Sequence, residues 1–133
     1  MFKIPVLAVV CLGVCAWGAE DKMERGRYLL EEVAKCQDCH TKRGEKGELD
    51  KTKWLKGGEL DVKPIGEVQG WHANAPDLTP SGRLWQRWGE AGLIKFLTTG
   101  KTPRDTSAGP PMPTYKLKQE DAEAMVEYLK SLK

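Results

Sequence analysis

Apolar residues recur at helical spacing in three separate stretches of this chain, and the ground between them shows no regular period. Met23, Gly26, Leu30, Val33 and Ala34 fall on one face of a helix predicted over about Asp21–Ala34. A glycine inside that helix costs about 1 kcal/mol relative to alanine, so another backbone is expected to pass close to Gly26. Ala122, Met125, Val126 and Leu129 form the inner stripe of a terminal helix over about Gln119–Leu132, with Tyr128 beside it. Its first turn carries Glu120, Asp121 and Glu123 and its end Lys130 and Lys133, both of which complement the helix dipole. A middle helix is predicted over about Gly89–Thr99, with Leu93, Ile94, Phe96 and Leu97 on its apolar side and Gly100 ending it.

The stretch Thr41–Thr79 contains no convincing strand and is rich in Gly and Lys, with scattered Trp. A structureless loop of that length is unusual in a compact domain. It becomes reasonable if the loop wraps a bound prosthetic group that acts as its core. Later, Gly109-Pro110-Pro111-Met112-Pro113 forms a stiff, extended segment. The length of 133 residues fits one domain, and 40% hydrophobic with 30% charged residues is ordinary for a globular protein. The aromatic content is skewed: five Trp stand against two Phe, which suits a tight core or a large flat group.

Residues 1–18 read as a signal peptide, leaving a domain over 19–133. Lys3 is the positive end, Ile4 to Trp17 the apolar run, and Ala16-Trp17-Gly18 the small-residue cleavage site. That run is shorter than the roughly 20 residues needed to span a bilayer, against a retained anchor. A lipoprotein reading at Cys15 meets a bulky Val14 just before it. Cleavage would remove Cys11 and Cys15 and leave Cys36 and Cys39, and the loss of Lys3 takes the net charge from +2 to +1. Neither nucleic acid nor a membrane surface is implied as a partner by such a balance. Export makes the expected location periplasmic.

Cys36-Gln37-Asp38-Cys39-His40 has the Cys-x-x-Cys-His pattern of covalent c-type haem attachment. Two thiols three residues apart can reach the two vinyl groups on one haem edge, and His40 then falls under the iron. Three alternatives use the same residues. A thioredoxin-like redox pair wants a βαβ context, whereas a helix precedes this motif. Zinc needs four ligands, for which Cys36, Cys39, His40 and His72 are just sufficient. A Cys36–Cys39 disulfide would close only a tiny loop.

With that motif placed directly after a helix, the chain resembles small class I cytochromes c across nearly all of the expected mature sequence. The resemblance is carried by Cys36-x-x-Cys39-His40, by Gly26-Arg27-Tyr28-Leu29 facing a terminal helix with Tyr128-Leu129, and by Pro111-Met112-Pro113 followed by Tyr115. It implies an all-α fold of three to four helices wrapped around one covalent haem. It also implies that the first and last helices cross at a small residue, and that Met112, 72 residues after His40, is the second axial ligand. Two features depart from the family. Lys118 stands where such helices often carry a Ser or Thr cap, which weakens the cap by about 1 kcal/mol. The proline carbonyl that accepts from the proximal histidine has no obvious source, and Pro64 is the expected one.

Met112 is flanked by proline on both sides, which suits a pre-organised thioether ligand. Met23 and Met125 sit on helical stripes and read as core. His72 is a rival sixth ligand that would lower the potential relative to His/Met ligation. Trp54, Trp71, Trp85 and Trp88 are expected to pack in the core or on the haem, with the Trp54 and Trp71 indoles as candidate donors to a haem propionate. Asp77-Leu78-Thr79-Pro80 resembles the family's haem-edge turn, which adds Thr79 to the haem contacts. Between Arg83 and Lys118 seven basic residues face two acidic ones, whereas the terminal helix is net −2. A basic face near the haem edge would dock an acidic patch on a redox partner protein, with the membrane reached only through partners.

The function expected is that of a monohaem one-electron carrier and not an enzyme, with His40 and Met112 saturating the iron. The alternatives are a haem sensor or peroxidase-like enzyme with a displaceable sixth ligand, and a cytochrome subunit fixed to a dehydrogenase.

Overall fold

A computed structural model describes residues 18–133. The leader expected over residues 1–18 therefore lies, except for Gly18, outside the described residues. Among the described residues there are four α-helices: α1 (Ala19–Tyr28), α2 (Cys36–His40), α3 (Arg83–Thr99) and α4 (Gln119–Ser131). A π-helical turn, Leu29–Val33, continues α1. Among the described residues no helix is long and apolar enough to cross a membrane.

Helices α1 and α4 pack across each other at the glycine singled out by the sequence. Gly26 is buried, and a Cβ there would overlap the carbonyl group of Ala124. The absent side chain lets the two backbones meet, and Arg25–Asp121 (3.0 Å) and Lys22–Glu123 (3.5 Å) ion pairs flank the crossing. Inside it, Leu30, Met125, Val126 and Leu129 are almost fully buried, joined by Ala122 and Leu29. The inner face of α4 is the one its periodicity predicts. That of α1 differs: Leu29 is buried while Met23 and Val33 are exposed. Leu29 lies three residues after Gly26 and so shares its face, and beyond it the wider winding of the π-turn makes the stripe lag, turning Val33 outward.

Helix α3 starts six residues earlier than the apolar pattern suggests. Its first turns, Arg83–Trp88, are followed by a break at Gly89 (φ 61°, ψ −176°). That backbone conformation is essentially open to glycine alone, so the break is written in the residue type. Gly100 ends the helix in the left-handed conformation, φ 72° and ψ 9°. Lys118 caps α4 with no side-chain hydrogen bond, as its residue type requires.

The long segment after α2 is mostly irregular. It holds one 3₁₀ turn, Lys51–Lys53, and a minimal antiparallel ladder of β1 (Gly58–Glu59) and β2 (Asn74–Ala75). This ladder is absent from the periodicity because two-residue strands leave none. Thr41 anchors the segment's return: its hydroxyl accepts from Leu55 N–H at 2.9 Å, with both residues buried.

Candidate haem site

The π-turn leads directly into the motif. Ala34 N–H donates to Leu29 C=O at 2.8 Å and closes it, and Lys35 then takes a left-handed conformation (φ 56°) before α2 begins at Cys36. Gln37, buried on the far side of α2, ties the short helix back through its amide N–H to Glu31 C=O at 2.7 Å.

Cys36, Cys39, His40 and Met112 all line one cavity of about 570 Å³. The four come from two places in the chain, α2 and the proline-rich loop before α4. Between them the walls are apolar, with Leu30 from the first helical stretch, Leu93, Phe96 and Leu97 from α3, and Met125 and Leu129 from α4. The cavity thus sits where three helices would otherwise share a core.

His40 is buried, and its Nδ1 lies 2.8 Å from Pro76 C=O. A carbonyl can only accept, so Nδ1 carries the proton and Nε2 keeps its lone pair. Burial lowers the pKa of the imidazole, against the opposing pull of the Pro76 carbonyl, so it stays neutral. The carbonyl partner is Pro76 and not Pro64. Pro76 directly precedes the Asp77-Leu78-Thr79-Pro80 turn, and that adjacency is the signal the sequence offers.

Neither thiol is stabilised as a thiolate. Burial, then the negative charges around it, pushes Cys36 up to about 12, and Cys39 is raised by the same causes. A thioredoxin-like pair needs the opposite, a stabilised thiolate. Both cysteines are free. Among the described residues no group of three or more His, Cys, Asp or Glu is arranged to hold a metal ion, so the four-ligand zinc reading has no geometry behind it.

Haem fits this chemistry. The cavity offers apolar walls, two thiols, a neutral imidazole with a free lone pair and a thioether. No Asp or Glu lines it, whereas Lys35 and Arg87 do, which suits a group carrying two carboxylates. The other expected contacts lie elsewhere. Trp54 Nε1–H donates to Glu31 Oε1 at 3.2 Å, beside a more polar depression with Glu32, Gln37 and Lys51. Trp71 is half-buried outside the cavity wall, at a turn where its N–H meets Val68 C=O at 3.2 Å. Thr79 is fully buried, and both its N–H and its hydroxyl donate to Asp77 Oδ1 at 2.7 Å, so it holds a turn together. Trp88 is the described indole that does line the cavity, 5.4 Å from the Phe96 ring by centroids. Tyr115 also lines it, and its hydroxyl reaches Ala34 C=O at 3.3 Å.

Comparison with known proteins places the chain among cytochromes. The chain is 38% identical to a diheme cytochrome c-type protein of Cereibacter sphaeroides, over 80% of this chain and 34% of that protein. It is 31% identical to the fructose dehydrogenase cytochrome subunit of Gluconobacter japonicus, over 84% of this chain and 22% of that one. It is 32% identical to a subunit of the nicotinate dehydrogenase of Pseudomonas putida, over 81% of this chain and 9% of the other. The chain therefore spans about a third or less of the length of each of these relatives. The sequence pattern of the Cytochrome c family matches residues 23–133, and with a covalent haem motif, a cavity to receive the group and four helices around it, the chain belongs to the cytochrome c family of haem electron-transfer proteins.

Proposed function

We propose that the chain is an exported monohaem electron carrier and not an enzyme, with haem c attached through Cys36 and Cys39 and its iron held by His40 and Met112. The observation that carries this reading is the convergence of those four side chains on one apolar cavity, although 72 residues separate His40 from Met112. When bound, the haem supplies an iron that takes up and releases one electron. The residues do the rest. Pro76 C=O fixes the proton on His40 Nδ1 and so aims Nε2, and its hydrogen bond makes the imidazole a stronger ligand. Leu30, Phe96, Met125 and their neighbours exclude water, which sets the dielectric and hence the potential. The leader, removed after Gly18, places the carrier in the periplasm, where a covalent link keeps it loaded.

Its partners are redox proteins. Of the seven basic residues between Arg83 and Lys118, only Lys95 is ion-paired among the described residues, with Asp105 at 2.7 Å. Glu90, the other acid there, pairs with Lys130 of α4 at 2.8 Å. The remaining six cations are exposed and can steer an acidic partner. Transfer rates to such a partner should fall as salt rises, and rates independent of ionic strength would remove the docking claim. The dehydrogenase relatives favour a second reading, a cytochrome that works as a fixed part of a dehydrogenase complex. Size exclusion of native extract separates a free carrier from a complex-bound one.

The deciding experiment is optical spectroscopy of the purified protein with a pyridine haemochrome assay and a scan for the near-infrared sulfur-to-iron band. One c-type haem per chain with the band present is the expected result. A haemochrome without the band would remove Met112 and favour the sensor or peroxidase-like alternative. Absence of haem would remove the reading entirely.

A further inference from the structure

The loop that bears Met112 is held to the rest of the protein at a single hydrogen-bonded point. Among the described residues, segment 107–114 makes one hydrogen bond to residues outside it: His72 N–H donates to Pro110 C=O at 2.9 Å. Inside the segment, Met112 N–H donates to Gly109 C=O at 3.1 Å and closes the turn that carries the methionine. Gly109 is the seat of the contact. It has φ +82°, and a Cβ there would lie 3.1 Å from His72 Nε2 and 3.2 Å from both His72 Cδ2 and Gly70 C=O. The imidazole of His72 therefore rests over the Gly109 backbone, in the space that any side chain would take. His72, Gly109 and Met112 all line the haem cavity.

We propose that His72 and Gly109 form a latch that holds the Met112 loop over the cavity, with His72 a positioning residue for Met112 and not a ligand. This rests on Met112 as the sixth ligand. The loop has prolines at 110, 111 and 113, so it moves as a stiff unit, and a tie at one end fixes the sulfur at the other. A small ligand can take the sixth position only from the open form. Its apparent affinity is scaled down by the fraction of molecules in that form. Weakening the latch raises that fraction.

The test is cyanide binding to the ferric holoprotein, read with the sulfur-to-iron band. Gly109→Ala presses a methyl group to within 3.1–3.2 Å of the His72 ring and the Gly70 carbonyl, tighter than ordinary contact, at a backbone conformation alanine resists. It should weaken the band and raise cyanide affinity about tenfold. His72→Ala should act in the same direction but less, since its N–H remains, and His72→Phe, which restores a flat ring, should return affinity close to wild type. Should Gly109→Ala be poorly produced, the His72→Ala and His72→Phe pair carries the test alone. Cyanide affinity and band both within about twofold of wild type in Gly109→Ala and His72→Ala would overturn the latch while leaving Met112 as ligand. Conversion of the ferric iron to high spin by His72→Ala, with Met112→Ala silent, would make His72 the ligand and overturn it too. A wild-type protein without the band would instead fail the Met112 reading itself.

Discussion

Replacing Gly26 with alanine tests how the two terminal helices support the site. In an exposed helix this change stabilises by about 1 kcal/mol, since alanine is the better helix former. At this position the new methyl group would overlap the Ala124 carbonyl carbon and oxygen. Both obstacles are backbone, so no rotamer can relieve them, and α1 must move away from α4. Over-packing costs about 1–3 kcal/mol, and an unyielding neighbour puts it at the upper end. After the helix-propensity gain, the net destabilisation is about 2 kcal/mol. For a domain of this size it lowers the thermal midpoint by roughly 8 °C. The assay is thermal unfolding of the holoprotein followed by far-ultraviolet circular dichroism. Gly66→Ala is the control, because a Cβ there meets nothing within 4 Å, and it should change stability by less than about 0.5 kcal/mol. Since α1 runs without interruption into the turn that presents Cys36, Gly26→Ala should also lower the yield of haem-loaded protein. The sign decides the matter: a midpoint equal to or above wild type would refute the close crossing.

Three further outcomes are expected. Glu31 accepts from Trp54 Nε1, Arg27 Nη1 and the Tyr128 hydroxyl, linking the middle loop and α4 to the π-turn. Glu31→Ala should therefore cost about 2 kcal/mol in urea unfolding, and Glu31→Gln less; equal, negligible losses would show the cluster to be ornamental. Burial, with the Glu31 carboxylate adding to it, pushes the Tyr128 phenol up to about 12 from an ordinary 10.0. The folded state then holds its proton where the unfolded state has lost it. That contribution is fully present below pH 10 and lost as pH rises through 12, so wild type should lose stability more steeply than Tyr128→Phe over that interval, and parallel profiles would contradict it. Finally, the double variant Cys36→Ser, Cys39→Ser, which cannot attach haem, should lack a cooperative unfolding transition by circular dichroism. Without the group, Leu30, Leu93, Phe96, Leu97, Met125 and Leu129 would line unfilled space, and apolar walls with no partner atoms forfeit their packing. A cooperative transition in that variant would refute the claim.

What can be read from the sequence divides along a physical line. Helix α4 is legible face by face because a long amphipathic helix repeats its signal, and Gly26 stands out because a glycine inside such a stripe needs a reason. Cys36, Cys39 and His40 are legible because they are contiguous, so their geometry follows from local spacing. The place of Met112 on the cavity wall is foreshadowed only by its setting, a methionine between prolines in a chain that resembles cytochromes c. Everything that depends on how the middle loop folds back is less accessible. The loop's course is decided by single contacts such as Thr41 to Leu55 and His40 to Pro76, and single contacts leave no period. Hence the sequence points to Pro64 for the carbonyl partner, twelve residues too early, and to the haem for the Trp54 indole that Glu31 in fact binds. The π-turn misleads for a different reason. A helical wheel assumes constant winding, and one wide turn carries Val33 out of the core stripe. The same turn places Lys35 in a left-handed conformation and starts α2 at Cys36. The turn that breaks the periodicity is thus part of what points the haem-binding motif into the cavity, so the failure of the wheel falls next to the functional site.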